Sequence, residues 1–464
     1  MSVKDRSEGT IVAVSTATGP GGIGMVRMSG PDSIGILGRI FRHPRGLSAK
    51  GWKTFTARYG VVVRPDGSPV DEVLVTLMRA PKSYTCEDVV EISCHGGAAV
   101  VQTILELCLK EGARLAQPGE FTKRAFLNGR IDLTQAEAVL DMINAKTEAS
   151  LRASERQLRG ELHGAIEDLR EQIMGVFTGI EAVLNFPEDD TDAGQVQALK
   201  GTLFGVVEKL TALLGTSRAG RILKEGVRVV ICGKTNVGKS SLLNALLRHP
   251  RAIVTDLPGT TRDILEESAN IKGVPVSLVD TAGILEPRDR VEEEAVRRTR
   301  IFVDAADVAL LVLDRSRPLE TADYELLLHL KDRPLILVLN KADLPSAIDR
   351  AVIEEVAGEA RVLEVSAVTR AGLVPLEEAI VALALGGKAL VTEGLLLNNL
   401  RHVESMTQAV RMLQGALTAI DQGTPLAMVS EQMKAAVREL DAVTGRNIDE
   451  DLVDRIFSDF CIGK

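Results

Sequence analysis

The chain has 464 residues, enough for about three domains, and its 45% hydrophobic and 26% charged residues exclude a largely disordered protein. Aromatic residues make up only 3%, which argues against a module that works mainly by stacking nucleic-acid bases. The formal charge of −9 excludes a global positive field toward nucleic acid, although a local basic groove remains compatible with it.

The cysteines are scattered and form no Cys-x-x-Cys pair, which is typical of a reduced protein without a disulfide scaffold or a zinc module. They are Cys86, Cys94, Cys108, Cys232 and Cys461. The sequence shows neither an apolar signal core at its start nor an apolar run of about 18 residues. We therefore expect a soluble, cytoplasmic protein that does not associate with membranes.

Residues 1–130 are predicted to form an α+β domain. Short segments rich in Val, Ile and Thr alternate there with Gly/Pro turns, which is typical of strands. One helix is predicted over residues 98–110, where apolar residues recur at helical spacing. The predicted strands cover residues 11–15, 60–63, 73–78 and 89–93.

Residues 131–225 and 387–464 carry apolar residues every three, four or seven positions, which predicts long amphipathic helices. The second of these apolar stripes begins at Leu397. Residues 226–386 between them read as a β/α segment with buried strands at 227–232, 276–279, 308–313, 335–339 and 362–365. We therefore predict a multidomain α/β and α+β protein, in which a doubly wound domain is inserted into one discontinuous helical domain.

A phosphate-binding loop is predicted at the start of the inserted domain, where Gly233–Ser240 matches G-x-x-x-x-G-K-[ST] between a strand and a predicted helix over 241–247. Its backbone N–H groups would surround the β-phosphate. Lys239 would neutralise β- and γ-phosphate oxygens, and the Ser240 hydroxyl would ligate Mg²⁺. The predicted GTP-binding residues of this loop are Gly233, Asn236, Val237, Gly238, Lys239, Ser240 and Ser241.

A guanine-binding loop is predicted about 100 residues further on, after the strand at 335–339. The Asp343 carboxylate can accept hydrogen bonds from N1–H and N2–H₂ of guanine, which adenine does not offer. The segment Asp280–Gly283 would supply a carboxylate beside the metal and a glycine amide that senses the γ-phosphate. Together these motifs exclude a general ATPase and predict a guanine-nucleotide hydrolase. The predicted GTP-binding residues here are Asp280, Thr281, Ala282, Gly283, Asn340, Lys341, Asp343, Ser366 and Ala367.

The residue after Gly283 is Ile284, where many GTPases place a glutamine that orients the attacking water. Hydrolysis must therefore use another polar group. Spacing alone does not choose among the nearby carboxylates, which are Glu286, Asp289, Glu292, Glu293 and Glu294.

Residues 19–24 match G-x-G-x-x-G, the pattern of dinucleotide-binding loops. The segment that follows, 25–31, has the pattern of a strand that stops at Gly30-Pro31, whereas a dinucleotide site needs a helix there. We therefore expect neither a nicotinamide site nor a flavin site at this loop.

Three further blocks resemble one known family. They are the segment 253–263, which contains Gly-Thr-Thr-Arg-Asp, the segment 118–130 and the ending Phe460–Lys464. Over residues 8–464, with its blocks in the family's order along the chain, the sequence resembles the MnmE (TrmE) family of GTPases that modify the wobble uridine of tRNA. The resemblance implies an N-terminal folate-binding and dimerisation domain (1–130), a helical domain in two parts (131–225 and 387–464) and a Ras-like G domain (226–386).

The same resemblance implies the reaction and its participants. A K⁺-dependent GTPase would form a homodimer, and with an FAD-containing protein resembling MnmG (GidA) it would form a heterotetramer. The complex would add a carboxymethylaminomethyl-type group at C5 of uridine 34 of tRNA. The one-carbon unit would come from 5-formyl- or methylene-tetrahydrofolate.

The resemblance also implies roles for individual residues. Thr261 would join Ser240 at Mg²⁺, and Glu292 would orient the attacking water. The implied K⁺ ligands are Asn236, Thr255, Leu257 and Thr260, and the other implied nucleotide contacts are Asp256, Pro258 and Gly259. The implied folate-binding residues are Arg27, Glu91, Arg130 and Lys464. Cys461 would be a catalytic thiolate nucleophile, since the family's Cys-x-Gly-Lys ending is linked to the modification chemistry, or else a buried residue of the tail.

Two other classes share only the G domain. One is a GTP-binding switch of the ribosome-assembly kind, and the other is a structural GTPase of the septin or dynamin type. Neither class needs the segment 118–130 or the ending 461–464, and no membrane-binding stripe supports the second.

Overall fold

The structure, a computed structural model, describes residues 9–17, 19, 21–185, 193–247, 266–280, 306–387, 394–446 and 449–464. The chain divides into two compact units. Unit 1 comprises Met1–Leu140, Leu158–Asp168 and Val437–Lys464, and unit 2 comprises Asp141–Gln157 and Leu169–Ala436. The four-part division expected from the sequence stays a prediction.

Unit 1 contains a seven-stranded sheet in the order β3-β4-β5-β6-β2-β1-β7. Its neighbouring strands are antiparallel, except that β1 and β7 run parallel. Buried and exposed residues alternate along β5, because one face of the sheet covers the core. The strands are β1 Ile11–Val14, β2 Ile23–Ser29, β3 Phe41–Arg42, β4 Thr56–Val63, β5 Pro69–Met78, β6 Val89–His95 and β7 Arg114–Leu115.

Unit 2 contains a six-stranded sheet in the order β13-β12-β11-β8-β10-β9, parallel except for the antiparallel pair β9–β10. The central strands are buried on both faces, since alternate residues belong to two separate apolar clusters. Such strands read as unbroken apolar runs in the sequence. The strands are β8 Val227–Cys232, β9 Glu266–Ile271, β10 Val274–Asp280, β11 Val308–Asp314, β12 Leu335–Asn340 and β13 Arg361–Glu364.

The helices of the described residues follow the apolar periodicity of the sequence. The first eight are α1 Ser33–Ile40, α2 Ala98–Lys110, α3 Glu120–Leu127, α4 Leu133–Asn144, α5 Glu148–Leu158, α6 Glu161–Asn185, α7 Ala193–Leu214 and α8 Ser217–Glu225. The others are α9 Lys239–Leu247, α10 Thr321–Leu330, α11 Arg350–Ala357, α12 Leu373–Ala384, α13 Leu400–Asp421, α14 Leu426–Thr444 and α15 Glu450–Ser458. In unit 2, α7 packs against α13, and Lys200 forms an ion pair with Asp421.

The structure confirms the helix predicted over 98–110 and the strand predicted over 227–232 at their full lengths. It corrects the apolar stripe that was expected to begin at Leu397. That residue is fully buried but precedes α13, which begins at Leu400, and its backbone N–H donates to Thr216 Oγ1 (3.1 Å). A tertiary contact rather than helical periodicity therefore buries Leu397.

Candidate functional site

The predicted phosphate loop lies between β8 and α9. At two of its positions only glycine fits, because other atoms of the protein lie where a Cβ would be. A Cβ atom on Gly233 would lie 2.3 Å from the carbonyl oxygen of Val312, and one on Gly238 would lie 2.3 Å from Nδ2 of Asn340. Both glycines also have positive φ, +142° and +97°, where other residues are strained. The loop conformation therefore depends on glycine at both positions.

Lys239, the first residue of α9, is 4% exposed and lies folded against the loop. Its ammonium group donates to the carbonyl oxygens of Gly233 (2.9 Å) and Lys234 (2.6 Å). Burial lowers the pKa of Lys239, and the nearby Asp280 carboxylate opposes this effect. The ammonium thus lies at the helix N-terminus. Phosphate oxygens bound there would be attracted by its charge and would accept hydrogen bonds from the free backbone N–H groups.

Ser240 and Asp280 meet at the metal side of the loop, because β10 runs parallel to β8 and ends beside it. The Ser240 hydroxyl donates to Asp280 Oδ2 (2.8 Å). Among the residues that the structure describes, no group of three or more His, Cys, Asp or Glu side chains could hold a metal ion. A hydroxyl and a carboxylate fit Mg²⁺, which takes few protein ligands and completes its shell with phosphate oxygens and water.

The predicted base loop follows β12 and is tied to the phosphate loop by Asn340. The buried Asn340 side chain donates from Nδ2 to the carbonyl oxygen of Val237 (2.8 Å). Its Oδ1 accepts from the backbone N–H of Ala367 (3.2 Å). One side chain therefore holds the phosphate loop, the base loop and the 366–367 loop in a fixed arrangement.

Asp343 is oriented by Ser366, whose hydroxyl donates to Asp343 Oδ1 (2.5 Å). This hydrogen bond lowers the pKa of the Asp343 carboxyl, so that the group is ionised at neutral pH and can only accept hydrogen bonds. Ser366 Oγ also accepts from the backbone N–H of Thr369 (3.1 Å). The structure thus brings the predicted Asp343 and Ser366 together.

Asp314, at the end of β11, was not predicted from the sequence. Its Oδ2 accepts from the Lys341 ammonium (2.6 Å), and its Oδ1 accepts from Ser316 Oγ (2.6 Å). Burial acts to raise the pKa of Asp314, but the hydrogen bonds from Lys341 and Ser316 outweigh it and the pKa is lowered. An acidic residue directly after a buried strand, beside the end of β12, was the available signal.

Lys234, the second residue of the phosphate loop, was also not predicted to have a partner. Its ammonium contacts Glu320 Oε2 and Asp323 Oδ2, each at 2.8 Å. These two carboxylates form a capping box at the start of α10. Lys234 therefore ties the phosphate loop to the N-terminus of α10.

The predicted folate residues of unit 1 lie around the end of the chain. Arg27 and Glu91 are directly opposite on β2 and β6, and Arg27 Nε donates to Glu91 Oε1 (2.8 Å). Arg27 also donates to the carbonyl oxygen of Gly463 (3.1 Å) and lies 5.8 Å from the centre of the Phe121 ring. The tail is held from the other side by Ser15, whose hydroxyl donates to the same carbonyl (3.2 Å).

Arg130 lies over the ring of Tyr84, with 5.0 Å between the guanidinium carbon and the ring centre. The Tyr84 hydroxyl is 2.9 Å from Thr122 Oγ1. Burial raises the pKa of Tyr84, while the positive charges of Arg130 and Arg27 oppose the shift. Tyr84 and Phe121 are thus aromatic neighbours of the two predicted arginines that sequence reasoning had not assigned.

Cys461 is exposed, so the alternative that it is a buried tail residue is wrong. Its carbonyl oxygen accepts from the backbone N–H groups of Gly119 (3.3 Å) and Lys464 (3.4 Å). This turn brings Lys464 to the side of unit 1 on which Arg27 lies. The backbone of the ending is therefore fixed while the Cys461 thiol faces solvent.

Two family models match the chain. One is described as the MnmE helical domain and matches residues 133–461, and the other is described as the GTP-binding protein TrmE N-terminus and matches residues 10–130. The chain belongs to the MnmE family. The MnmE family consists of tRNA modification GTPases, and the two loops of unit 2 give this member the motifs of a GTP hydrolase.

MnmE relatives extend over the whole length of the chain. The tRNA modification GTPase MnmE of Thermoanaerobacter pseudethanolicus is 45% identical over 456 residues, 98% of this chain and 99% of that protein. MnmE of Carboxydothermus hydrogenoformans is 46% identical over 461 residues, 98% and 100% of the two chains. The G domain of the T. maritima FeoB iron transporter is 31% identical, covers 34% of this chain and 98% of that chain, and has a TM-score of 0.27.

Within the MnmE-type N-terminal domain, the block 118–130 contributes a buried charge network. Arg124, 2% exposed, donates to Glu87 Oε2 (2.9 Å), to Glu120 Oε1 (3.1 Å) and to the carbonyl oxygen of Gly9 (3.1 Å). The network fixes the loop before β6 against α3. Since Tyr84 belongs to that loop and Arg130 follows α3, the network positions both.

Part of the MnmE motif set lies outside the described residues. Thr255, Asp256, Leu257, Pro258, Gly259, Thr260, Thr261, Thr281, Ala282, Gly283 and Glu292 belong to this part. Their roles stay predictions. In the described ranges, every helix is too short or too polar to cross a lipid bilayer.

Proposed function

We propose that this MnmE-family chain binds GTP with Mg²⁺, hydrolyses it in a K⁺-dependent way, and takes part in modifying uridine 34 of tRNA. The nucleotide assignment rests on one contact. The Asn340 side chain of the base loop donates a hydrogen bond to the carbonyl oxygen of Val237 in the phosphate loop. The two loops thereby form one site in which the ends of a single nucleotide can be bound. The Asp343 carboxylate then selects guanine, because it accepts from the ring N1–H and the exocyclic N2 amino group at once.

The phosphate end of the site supplies positive charge and a metal ligand. Lys239 exchanges its two carbonyl partners for β- and γ-phosphate oxygens, at little cost because it is already desolvated. Ser240 Oγ and Thr261 would hold Mg²⁺, with the Asp280 carboxylate beside it, and the ion would neutralise charge on the phosphates. Lys234 and its two acidic partners keep the loop in place during this exchange.

The K⁺ assignment rests on the MnmE resemblance and on the conformation of Asn236. Asn236 has a φ of +63°, in the left-handed region that asparagine adopts more readily than most residues. It lies in the phosphate loop, three residues before Lys239. With Thr255, Leu257 and Thr260 it would place K⁺ beside the β- and γ-phosphates, where positive charge stabilises the transition state. G domains of two protomers would pair to order this site.

The folate assignment rests on the cluster of unit 1. Arg130 suits the carboxylates of a folate glutamate tail. Arg27 is ion-paired with Glu91 Oε1, so the two would contact one end of the ligand, where Glu91 Oε2 can accept from pterin N–H groups. The half-buried Tyr84 ring lies under Arg130, and the fully buried Phe121 ring supports Arg27 from below. The folate would supply the one-carbon unit. A flavin protein resembling MnmG would supply the redox chemistry. The product would be a carboxymethylaminomethyl-type group at C5.

Hydrolysis rates in K⁺ and Na⁺ test the proposed mechanism. At matched ionic strength, we expect K⁺ to raise kcat about tenfold or more over Na⁺, since it supplies a positive charge in the transition state. Asn236→Ala should remove this difference. Asn244→Ala, an exposed asparagine on α9, should keep it. Equal wild-type rates in the two cations would contradict K⁺ dependence and leave a GTP-binding switch.

Equilibrium dialysis of the full chain against 5-formyltetrahydrofolate tests the folate cluster. We expect Arg27→Ala to weaken binding about tenfold or more, because it removes a charged partner of the ligand and frees the tail at Gly463. Lys110→Ala, an exposed lysine at the end of α2, serves as the control and should bind like wild type. If Arg27→Ala binds the folate as tightly as the wild type does, the assignment is wrong.

A further inference from the structure

One stretch of unit 1 is strongly basic in an acidic chain. Residues 33–65 contain no Asp or Glu, although the whole chain has a formal charge of −9. A local positive surface of this kind attracts polyanions even when the net charge is negative. The basic residues of the stretch are Arg39, Arg42, Arg45, Lys50, Lys53, Arg58 and Arg64.

Most of these cations lack an acidic partner. Arg39 is neutralised by Asp32 (2.8 Å) and Glu111 (2.6 Å). By contrast, five other basic residues of the stretch are exposed, and within the described part of the chain no carboxylate lies at ion-pair distance from any of them. The five are Arg42, Arg45, Lys50, Lys53 and Arg58, which we name the basic surface.

The basic surface is built on one buried indole. Trp52 is 5% exposed and packs against Phe41 (ring centres 5.7 Å apart) and His43 (6.3 Å). The Arg79 guanidinium donates to the carbonyl oxygens of Trp52 (3.0 Å) and Lys50 (2.7 Å). The segments 42–45 and 50–53, which carry Arg42, Arg45, Lys50 and Lys53, are therefore held next to each other.

An exposed aromatic ring lies within the same stretch. Phe55 is 64% exposed and has a φ of +56°, which is unfavourable for a bulky residue. Its backbone N–H donates to the carbonyl oxygen of Leu77 (2.8 Å), which holds this conformation. The ring therefore faces solvent beside Lys53 instead of packing in the core, and its face is free to stack on a base.

We propose that the basic surface, with Phe55, binds the phosphate backbone and an unstacked base of RNA, which for this chain is the tRNA substrate. The proposal rests on the tRNA function proposed above. Cations without a carboxylate partner on the adjoining segments 42–45 and 50–53, followed by the exposed Phe55 ring, suit alternating phosphates and bases. An anionic membrane fits less well, since it would need a continuous apolar face, and the neighbouring Tyr59 lies against Glu72.

Fluorescence anisotropy of labelled, unmodified tRNA with the full chain, over a series of salt concentrations, tests the proposal. We expect the triple variant Arg45→Gln, Lys50→Gln, Lys53→Gln to raise Kd about tenfold or more. The slope of log K against log salt should fall by about two to three, because each phosphate contact contributes about one. Phe55→Ala should raise Kd about fivefold or more, and Phe55→Trp should restore binding.

The matched control is the triple variant Lys331→Gln, Arg361→Gln, Arg438→Gln, which removes three exposed cations elsewhere and should leave the salt slope unchanged. Circular dichroism and the thermal unfolding midpoint report correct folding, and both they and GTP hydrolysis should be the same in all variants. Wild-type protein that binds no tRNA would overturn the proposed function itself. Wild-type binding that the Arg45, Lys50 and Lys53 triple variant retains with an unchanged slope would overturn the surface alone. The surface would also be overturned if the Arg45, Lys50 and Lys53 triple variant lost binding to phosphatidylserine vesicles but still bound tRNA like the wild type.

Discussion

Asp343→Asn is expected to lower the affinity for GTP at least about a hundredfold and to raise the affinity for xanthosine triphosphate. The Asp343 carboxylate accepts from N1–H and N2–H₂ of guanine and is kept ionised by its hydrogen bond from Ser366. An asparagine amide places an N–H donor where the carboxylate had an acceptor, so it repels the guanine amino group. The same donor pairs with the carbonyl oxygen at C2 of xanthine. Competition with a fluorescent guanine nucleotide measures both affinities.

The control for this substitution is Asp332→Asn, which removes an exposed carboxylate of the same unit and should leave both affinities as they are. Unchanged GTP affinity in Asp343→Asn would show that another group selects the base. Equal loss of GTP and xanthosine triphosphate binding would indicate a damaged site rather than a change of specificity.

Glu292→Ala is expected to lower the single-turnover rate of GTP hydrolysis by about 10²- to 10⁴-fold while GTP binding is retained. Ile284 stands where many GTPases have a glutamine, so a different side chain must orient the water. The MnmE resemblance assigns this role to Glu292. Rapid mixing with excess protein separates hydrolysis from product release.

Two neighbouring residues give an internal control, since Glu293→Ala and Glu294→Ala remove the same charge and should hydrolyse GTP at the wild-type rate. If Glu293→Ala hydrolysed GTP slowly and Glu292→Ala at the wild-type rate, Glu293 rather than Glu292 would be the residue that orients the water. Equal rates in all three would place the water-orienting group outside this cluster.

The doubly wound domain was predictable because its signals are local. Strands buried on both faces, such as β8 and β12, are unbroken apolar runs, and the motifs follow directly at their carboxyl ends. The helix over 98–110 was predictable for a similar reason, since its apolar positions recur at helical spacing. Leu397 shows the limit, because an isolated buried residue looks the same in sequence whether a helix or a loop carries it.

The sequence by itself determined the family, the order of the elements and the identity of the nucleotide-binding loops, because each is written in residues that are contiguous or regularly spaced. The tertiary structure decided which residues contact each other. Asn340 reaches the carbonyl oxygen of Val237, 103 positions away, and Arg27 reaches that of Gly463, 436 positions away. It also brought the segments 42–45 and 50–53 together through the contacts of Trp52 with Phe41 and His43. Such pairs arise only when strands and loops distant in sequence are packed side by side, so no local pattern encodes them.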